Sequence, residues 1–419
     1  MSLYDLPIDK RLLERINPVF NTAKMTLFHL ASAGDKDAIA ISDKLGLTLE
    51  STQDETSMEE LLNNAVSLEI RFRTMGEMAL KSGFPTIVDL PCGYTPRAIE
   101  FSRLGKSFVG LDLPAAVSEG TPIITSMIDE DKRGLVRFDE VDATNYESLK
   151  KVFDEIPGEV CITTEGLLMY FTDSETGELC DNMRRILLDH GGCWLLADVE
   201  TVFQTILNAQ AMLGDRFMEV LVKGKERAQN RSDVVVSART LVVNPDKPEE
   251  NMKKAMEFLA EHGLKAERLI VADYAPELLS FGQITPQQAG AIRQAMKKYA
   301  YWKITPIEAT ELDTKAARAD NFDLKAEFST DRLVLHLQGR LDTLSSPGFL
   351  AFYEKTVGYY PIVEVYVDCS DLEYISSAGL RVLLIMQKQC KRGVTLQNIN
   401  NGVREILEQT GFDTILGIE

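Results

Sequence analysis

From Pro85 onward the chain alternates short apolar runs with amphipathic helical stretches, and this rhythm constrains the fold more than any other feature of the sequence. The runs are Thr86 to Leu90, Ser107 to Leu111, Leu135 to Val141, Val160 to Thr164 and Gly192 to Val199, each bounded by turn residues. Stretches such as Pro96 to Leu104 and Asn145 to Phe153 are long enough to cross one face of a sheet, so successive strands run parallel. Five strands in this order describe a doubly wound α/β domain. Ala266 to Ala272 and Tyr301 to Ile307 complete the sheet, after helices from Met252 to His262 and Pro286 to Lys298. Thr201 to Arg231, mostly helical and following the fifth strand, reads as a candidate lid over the carboxyl edge. Before Pro85 apolar residues return every three or four positions from Asp9 to about Leu68, a helical preface.

The rhythm breaks at Glu308 to Asp320, a charged, alanine-rich, aromatic-free stretch that suits a tether. It then starts afresh. Strands are expected at Phe322 to Ser329, Arg332 to Gln338, Glu364 to Cys369 and Gly393 to Gln397, with helices at Gly348 to Val357, Ser377 to Lys391 and Gly402 to Thr410. The expected domains are therefore residues 1–308 (preface 1–84, sheet core and lid 85–308), a linker 309–320, and a small α/β domain 321–419, long enough for its own core.

Composition excludes several classes of function. Of 419 residues 45% are hydrophobic and 26% charged, so the chain folds. With 64 Asp plus Glu against 45 Lys plus Arg the net charge is -19, a field that repels phosphate backbones and anionic lipid, so neither nucleic acid nor membrane is an expected partner. The six cysteines form no C-x-x-C pair and the four histidines no ligand spacing with them, so no metal site is expected. No run approaches the ~20 apolar residues of a membrane helix, and the charged stretch Met1 to Arg15 lacks a signal peptide's core; the expectation is a soluble, cytoplasmic protein.

Acidic residues close the first four strands: Asp89, Asp112, Asp142 and Glu165. Thr86 to Arg97 reads as strand, tight loop with Gly93, then helix start, which brings backbone N–H groups to the carboxyl edge of the sheet. Nineteen residues beyond Gly93, Asp112 stands where a carboxylate can accept both hydroxyls of a ribose. Singly, these aspartates are also ordinary cap or turn residues. Four together on one edge are costly unless a cationic or hydroxyl-rich ligand meets them.

Leu90-Pro-Cys-Gly-Tyr-Thr-Pro-Arg97, Leu111-Asp-Leu-Pro114 and Glu165-Gly-Leu-Leu-Met-Tyr170 carry a resemblance. Residues from about Thr22 to Pro306 resemble the leucine carboxyl methyltransferase family, including its bacterial relatives in polyketide biosynthesis, which are class I methyltransferases of Rossmann-like fold using S-adenosyl-L-methionine. The resemblance implies that Cys92 and Gly93 face the methionine part of the cofactor, Asp112 the ribose and Asp142 the adenine, with Asp89, Leu113 and Ala143 also among the cofactor-binding residues. It implies that Arg73, with Arg71 as rival, binds the cofactor carboxylate, and that Glu165 holds its amino end or borders the substrate pocket. This chain has Pro91 for the family's first glycine and Thr95-Pro96 for its Asp-Thr.

The implied chemistry is displacement at a sulfonium methyl, where the protein supplies alignment and a dry pocket. A carboxylate acceptor is ionised at neutral pH and needs no general base. None of the histidines stands out as one: His29 is read as a helix residue, His190 and His262 as helix ends, and His336 as a half-buried strand residue. A small-molecule or protein carboxylate, or a hydroxyl, is the expected acceptor, and no catalytic residue is singled out.

Leu337-Gln-Gly-Arg-Leu-Asp342 and Val367-Asp-Cys-Ser-Asp-Leu-Glu-Tyr-Ile-Ser-Ser-Ala-Gly-Leu-Arg-Val-Leu-Leu384 carry a second resemblance. Phe322 to Glu419 resembles the STAS domain of anti-sigma-factor antagonists. That resemblance implies phosphorylation of Ser377 by a serine kinase and binding to an anti-sigma-factor-like partner. Gly379 is expected to let the kinase approach the backbone closely, and Ser376 or Ser377 equally suits an N-cap. The expected whole is an O-methyltransferase regulated or localised by a phosphorylatable STAS domain. The alternative is a non-catalytic cofactor-binding or scaffold protein acting through that domain.

Overall fold

The computed structural model describes residues 22–47, 58–218, 240–244, 246–307, 310–329, 332–357 and 362–419. Residues 1–21 and 48–57 of the expected preface, residues 219–231 of the expected lid and residue 309 of the expected linker lie outside them. The chain divides into two compact units, the first running to Phe258 and resuming over Ala266–Thr305, the second taking in Leu259–Lys265 and Pro306–Glu419.

The first sheet holds β1 (Thr86–Asp89), β2 (Ser107–Asp112), β3 (Val136–Glu140), β4 (Val160–Thr164), β5 (Gly192–Leu196), β6 (Leu264–Ile270) and β7 (Ala300–Pro306), in the order β3-β2-β1-β4-β5-β7-β6. β1 to β5 are mutually parallel, and β7 runs antiparallel to β5. β1 and β4 are buried throughout, as central strands covered on both faces are. The chain leaves β1 outward to β2 and β3, then returns to β4 on the other side of β1. The crevice at the carboxyl ends of β1 and β4 is thus a topological switch point, where open α/β sheets take their ligands. The expected Rossmann-like α/β domain with a helical preface is present.

Two helices of the preface frame that crevice. Lys36–Leu45 starts at Asp35, whose side chain accepts from the N–H groups of Asp37 and Ala38, and stops at Gly46 in the left-handed region. Met58–Lys81 buries Leu61, Val66, Ile70, Met75 and Ala79 from more than one side, carries Glu59 and Glu60 in its first turn and ends on Lys81, matching its dipole.

The lid expectation needs correction. Thr201–Leu213 is a helix that buries Gln204, Asn208, Ala209, Met212 and Leu213. Gln204 Nε2 donates to the Ser67 carbonyl (2.8 Å) and Tyr301 Oη donates to Gln204 Oε1 (3.1 Å), so this stretch is fixed in the core by paired polar groups.

The second sheet holds β8 (Thr310–Glu311), β9 (Phe322–Ser329), β10 (Arg332–Leu341), β11 (Glu364–Ile375), β12 (Val394–Gln397) and β13 (Gly417–Ile418), in the order β13-β12-β11-β10-β9-β8. β10 to β13 are parallel; β8 and β9 are antiparallel neighbours. Leu333, Leu335, Val365, Val367 and Leu396 alternate inward against Phe349, Leu383, Met386 and Leu407 of the helices Ser346–Val357, Ser377–Gln389 and Asn401–Thr410. The small second α/β domain is as expected, but the tether is not. β8 pairs with β9, the Leu312 N–H donates to the Ala326 carbonyl (2.8 Å), and Ala317 is buried. A charged, alanine-rich composition misled because a two-residue strand borrows its stability from the neighbour it pairs with.

Candidate functional site

The carboxyl edge of β1, β2 and β4 gathers most of the expected ligand residues. Gly93 takes φ 52°, a conformation only glycine adopts without strain, which aims its N–H at Asp112. Asp112 Oδ2 accepts from Gly93 N–H (2.7 Å) and Oδ1 from Leu113 N–H (2.7 Å). Burial pushes the Asp112 carboxyl up, opposed by those two N–H groups. Each oxygen keeps a further lone pair for a hydroxyl donor. Cys92 is buried, its N–H bound to the Leu111 carbonyl, and burial, Asp112 and Asp89 hold its thiol far above the usual range.

Asp89 and Glu165 are met from inside the protein. Arg97, 2% exposed in its side chain, donates through Nη1 to both oxygens of Asp89 (3.0 Å each) and through Nη2 to Glu165 Oε1 and the Phe72 carbonyl, while its guanidinium lies over the Phe72 ring. Asp89 also accepts from Thr163 Oγ1 (2.7 Å). Burial still raises the Asp89 carboxyl to about 6, despite Arg97. Of the four acidic strand ends, then, two are balanced by a buried arginine and one by backbone amides.

Asp142 stands apart. It is exposed, two residues past the end of β3, and its Oδ1 accepts from the Thr144 N–H and hydroxyl, shaping its own turn. Ala143 is buried and its carbonyl accepts from Asn182 Nδ2 (3.1 Å).

The two arginines of Met58–Lys81 part company. Arg73 is enclosed by Glu69 (2.7 Å), Asp35 (2.7 Å) and Glu100 (3.8 Å); burial alone would depress it, but the three carboxylates keep it charged. Arg71 Nε lies 3.4 Å from Glu165 Oε2, and that nitrogen is buried without a hydrogen-bond partner. Glu69 at i relative to Arg73 at i+4 is a sequence signal that Arg73 is engaged.

Asp198, just past β5, was not singled out in the sequence. Its carboxylate accepts from the N–H groups of Gly166 (2.6 Å), Leu167 (2.8 Å) and Leu168 (2.9 Å), fixing the loop that follows Glu165. An acidic residue closing a fifth parallel strand was the available signal. Over the same edge, the Ala23 side chain sits 3.7 Å from the position of a Cβ on Gly93, Lys24 pairs with Glu119 (2.8 Å), Tyr94 Oη donates to Glu119 (2.6 Å), and Tyr170 shares a hydrogen bond with Thr22.

In the second domain Ser376 is the N-cap of Ser377–Gln389, its hydroxyl accepting from Gly379 N–H (3.3 Å), and Ser377 is exposed on the first turn. A Cβ on Gly379 would fall 2.7 Å from the Leu341 carbonyl oxygen. Gly379 is therefore required by packing inside the domain. His336, 42% exposed, is held through Nδ1 by Asp368 (2.9 Å); burial would raise the Asp368 carboxyl, but hydrogen bonds from Asn398, His336 and Ser370 bring it below its ordinary value. His336 is thus half-buried, as expected, and hydrogen-bonded to Asp368 as well as packed. Among the described residues no cluster of His, Cys, Asp and Glu is arranged to hold a metal, and no helix is long and apolar enough to cross a membrane.

Fold and site together define a two-domain α/β protein, with a switch-point crevice in the first domain and a helix-capped serine turn in the second. Residues 324–417 match the family model described as "Mlab, STAS domain", so the C-terminal domain is a STAS domain. Among solved structures the chain is similar to an anti-sigma factor antagonist from Mycobacterium paratuberculosis, at 19% identity over 24% of this chain and 87% of that one, with a TM-score of 0.22. It is similar to human N-acetylserotonin methyltransferase in complex with S-adenosylmethionine, at 15% identity over 68% of this chain and 67% of that one, TM-score 0.32. It is also similar to the S-adenosylmethionine-dependent methyltransferase SibL in its apo form, at 12% identity over 68% and 70%, TM-score 0.35. No curated protein matches the chain.

Proposed function

We propose that the first domain is an S-adenosyl-L-methionine-dependent O-methyltransferase acting on a carboxylate of a small molecule or protein, and that the STAS domain regulates or localises it through phosphorylation of Ser377. The observation that carries the reading is the Asp112 carboxylate beside the Gly93 turn at the topological switch point. The residues present fit the cofactor: Asp112 suits ribose hydroxyls, and Arg71 Nε is a buried donor without a hydrogen-bond partner. When bound, the cofactor supplies a methyl group already activated on a sulfonium.

The protein's own part is alignment and exclusion of water. Asp112 and the Gly93 loop would orient the nucleoside, and residues 22–24 cover the loop. Cys92 is held protonated by burial and Asp112, and burial foremost pushes the Tyr170 hydroxyl up, so neither removes a proton at neutral pH. A carboxylate acceptor, ionised already, needs no such removal. Resemblance to the leucine carboxyl methyltransferase family points the same way.

Calorimetry with S-adenosylmethionine and S-adenosylhomocysteine, followed by a turnover screen over carboxylic acids and phenols, tests the reading. Binding with methyl ester formation is expected. Binding without turnover on any acceptor would favour the alternative, a non-catalytic cofactor-binding or scaffold protein acting as an anti-sigma-factor antagonist, and absence of binding would sink the enzyme reading.

A further inference from the structure

His336 and Asp368 lie opposite each other on β10 and β11, on the face of the second sheet turned away from its three α-helices. Leu335 and Leu337, on either side of His336, are buried in the core under those helices, so the alternation of the strand turns the imidazole outward. Asp368 beside it is fixed by four donors. Its Oδ1 accepts from the Ser370 N–H (3.1 Å) and Asn398 Nδ2 (3.0 Å), and its Oδ2 from His336 Nδ1 (2.9 Å) and the Ser370 hydroxyl (3.3 Å). Burial would raise the carboxyl, but these bonds hold it below its ordinary value, so at neutral pH it is ionised and only accepts. Nδ1 therefore carries the proton of the neutral imidazole. The lone pair sits on Nε2, which no described residue engages, on a ring that is 42% exposed. Lys325 faces His336 across the antiparallel β9, exposed and without an ion-pair partner among the described residues.

We infer that His336 Nε2 is a phosphoryl acceptor, a modification site separate from Ser377, with Asp368 as its positioning residue and Lys325 as the counter-charge for the phosphoryl oxygens. The donor is a molecule or protein that carries a phosphoryl group on a good leaving group, an acyl phosphate or a phosphoramidate. A metal would need further ligands, and no cluster of His, Cys, Asp and Glu among the described residues supplies them. A lysine beside the ring draws in an anionic electrophile and does nothing for a neutral one. In the step, Nε2 forms the P–N bond as phosphorus loses its bond to the leaving group, which departs with that electron pair. The ring is left positive with Nδ1 still protonated, and the Asp368 carboxylate faces that charge. A carboxylate so placed fixes the tautomer beforehand and stabilises the imidazolium afterwards, and no base has to remove a proton.

The test is treatment of the full chain with potassium phosphoramidate, which phosphorylates imidazole directly. Acid-labile phosphate is mapped by mass spectrometry, and the ring nitrogen that bears it is assigned by phosphorus NMR. His190 and His262, both half-buried, and the buried His29 serve as references within the same molecule. His336 should be labelled first and on Nε2. In Asp368→Asn, Ser370 and Asn398 hold the amide oxygen at the old Oδ1 position, so the amide NH2 meets His336 Nδ1 and drives the proton to Nε2. Nitrogen NMR should show that reversal, and labelling of His336 should slow about tenfold, the lower end of what losing a carboxylate partner costs a functional histidine. Lys325→Met should slow labelling several-fold with the tautomer unchanged. Labelling of His190 or His262 as fast as His336, phosphate on Nδ1, or an unchanged rate in Asp368→Asn would overturn the assignment. If Asp368→Asn does not fold, the comparison among the wild-type histidines and the Lys325→Met rate decide it.

Discussion

Asp112 is the residue on which the cofactor reading depends most. Two backbone N–H groups orient its carboxylate, so Asp112→Ala removes a charged acceptor and also leaves the Gly93 N–H unpaired. Affinity for S-adenosylhomocysteine should fall by about 1–3 kcal/mol in calorimetry, and an unchanged affinity would mean that ribose does not bind there. The adjacent serines of the second domain divide two roles between them. Ser376 caps the helix, so Ser376→Ala should cost about 1 kcal/mol in urea unfolding. Ser377 is exposed, so Ser377→Ala should leave stability within about 0.5 kcal/mol of wild type but abolish labelling of the full chain by a cognate serine kinase. Phosphate mapped by mass spectrometry to another residue would leave Ser377 without that role. A phosphate on the first turn is tolerated by the helix dipole and adds roughly -1.5 to -2 charge to an already acidic surface.

Among elements, the contact between Lys36–Leu45, Met58–Lys81 and Arg97–Arg103 is the one that pH should probe. Glu100 there faces Arg73, with Asp35, Asp37 and Arg97 near enough to be felt. Burial foremost, then Asp35, raises its carboxyl to about 7. The folded state therefore holds this proton where the unfolded chain has released it. The resulting stabilisation is complete below the ordinary glutamate range and is lost as pH rises through about 7. Glu100→Gln should flatten the dependence of unfolding free energy between pH 5 and 8. The change is at most about 3 kcal/mol, and less because the side chain is 30% exposed. An identical pH profile for the two proteins would show that Glu100 titrates normally. The strands were legible in the sequence because each is a short apolar run between turn residues, and β1, β2 and β4 fall within two residues of where the runs placed them. The helix Thr201–Leu213 was legible as a helix but not in its role, since Gln204 and Asn208 look solvent-facing until Ser67, Tyr299 and Tyr301 are brought to them by the fold. The acidic strand ends were legible as a set, whereas their counter-charges were not. Which of Arg71 and Arg73 faces the crevice depends on how one helix is rotated against the sheet, and the approach of Arg97 to both Asp89 and Glu165 depends on the side-by-side pairing of β1 with β4.

At the scale of the whole molecule, the second domain begins earlier than composition suggests. Its outermost strand, β8, and the turn at Lys315–Ala317 precede residue 321, and Thr314 Oγ1 donates to the Leu324 carbonyl (2.6 Å). A fragment cut at 321 would strip this cover and leave the outer row of N–H and C=O groups on β9 bare over much of its length. Bare rows of that kind recruit other chains, and short flanking strands are one of the ways natural sheets prevent it. A fragment starting at Pro306 should elute from a sizing column at one apparent mass at all concentrations, while a fragment starting at Asn321 should grow in apparent mass as it is concentrated. Matching elution of the two would mean that β9 tolerates an open flank. The thirteen or so residues that look like a spacer would then be dispensable; otherwise they act as a guard against self-association.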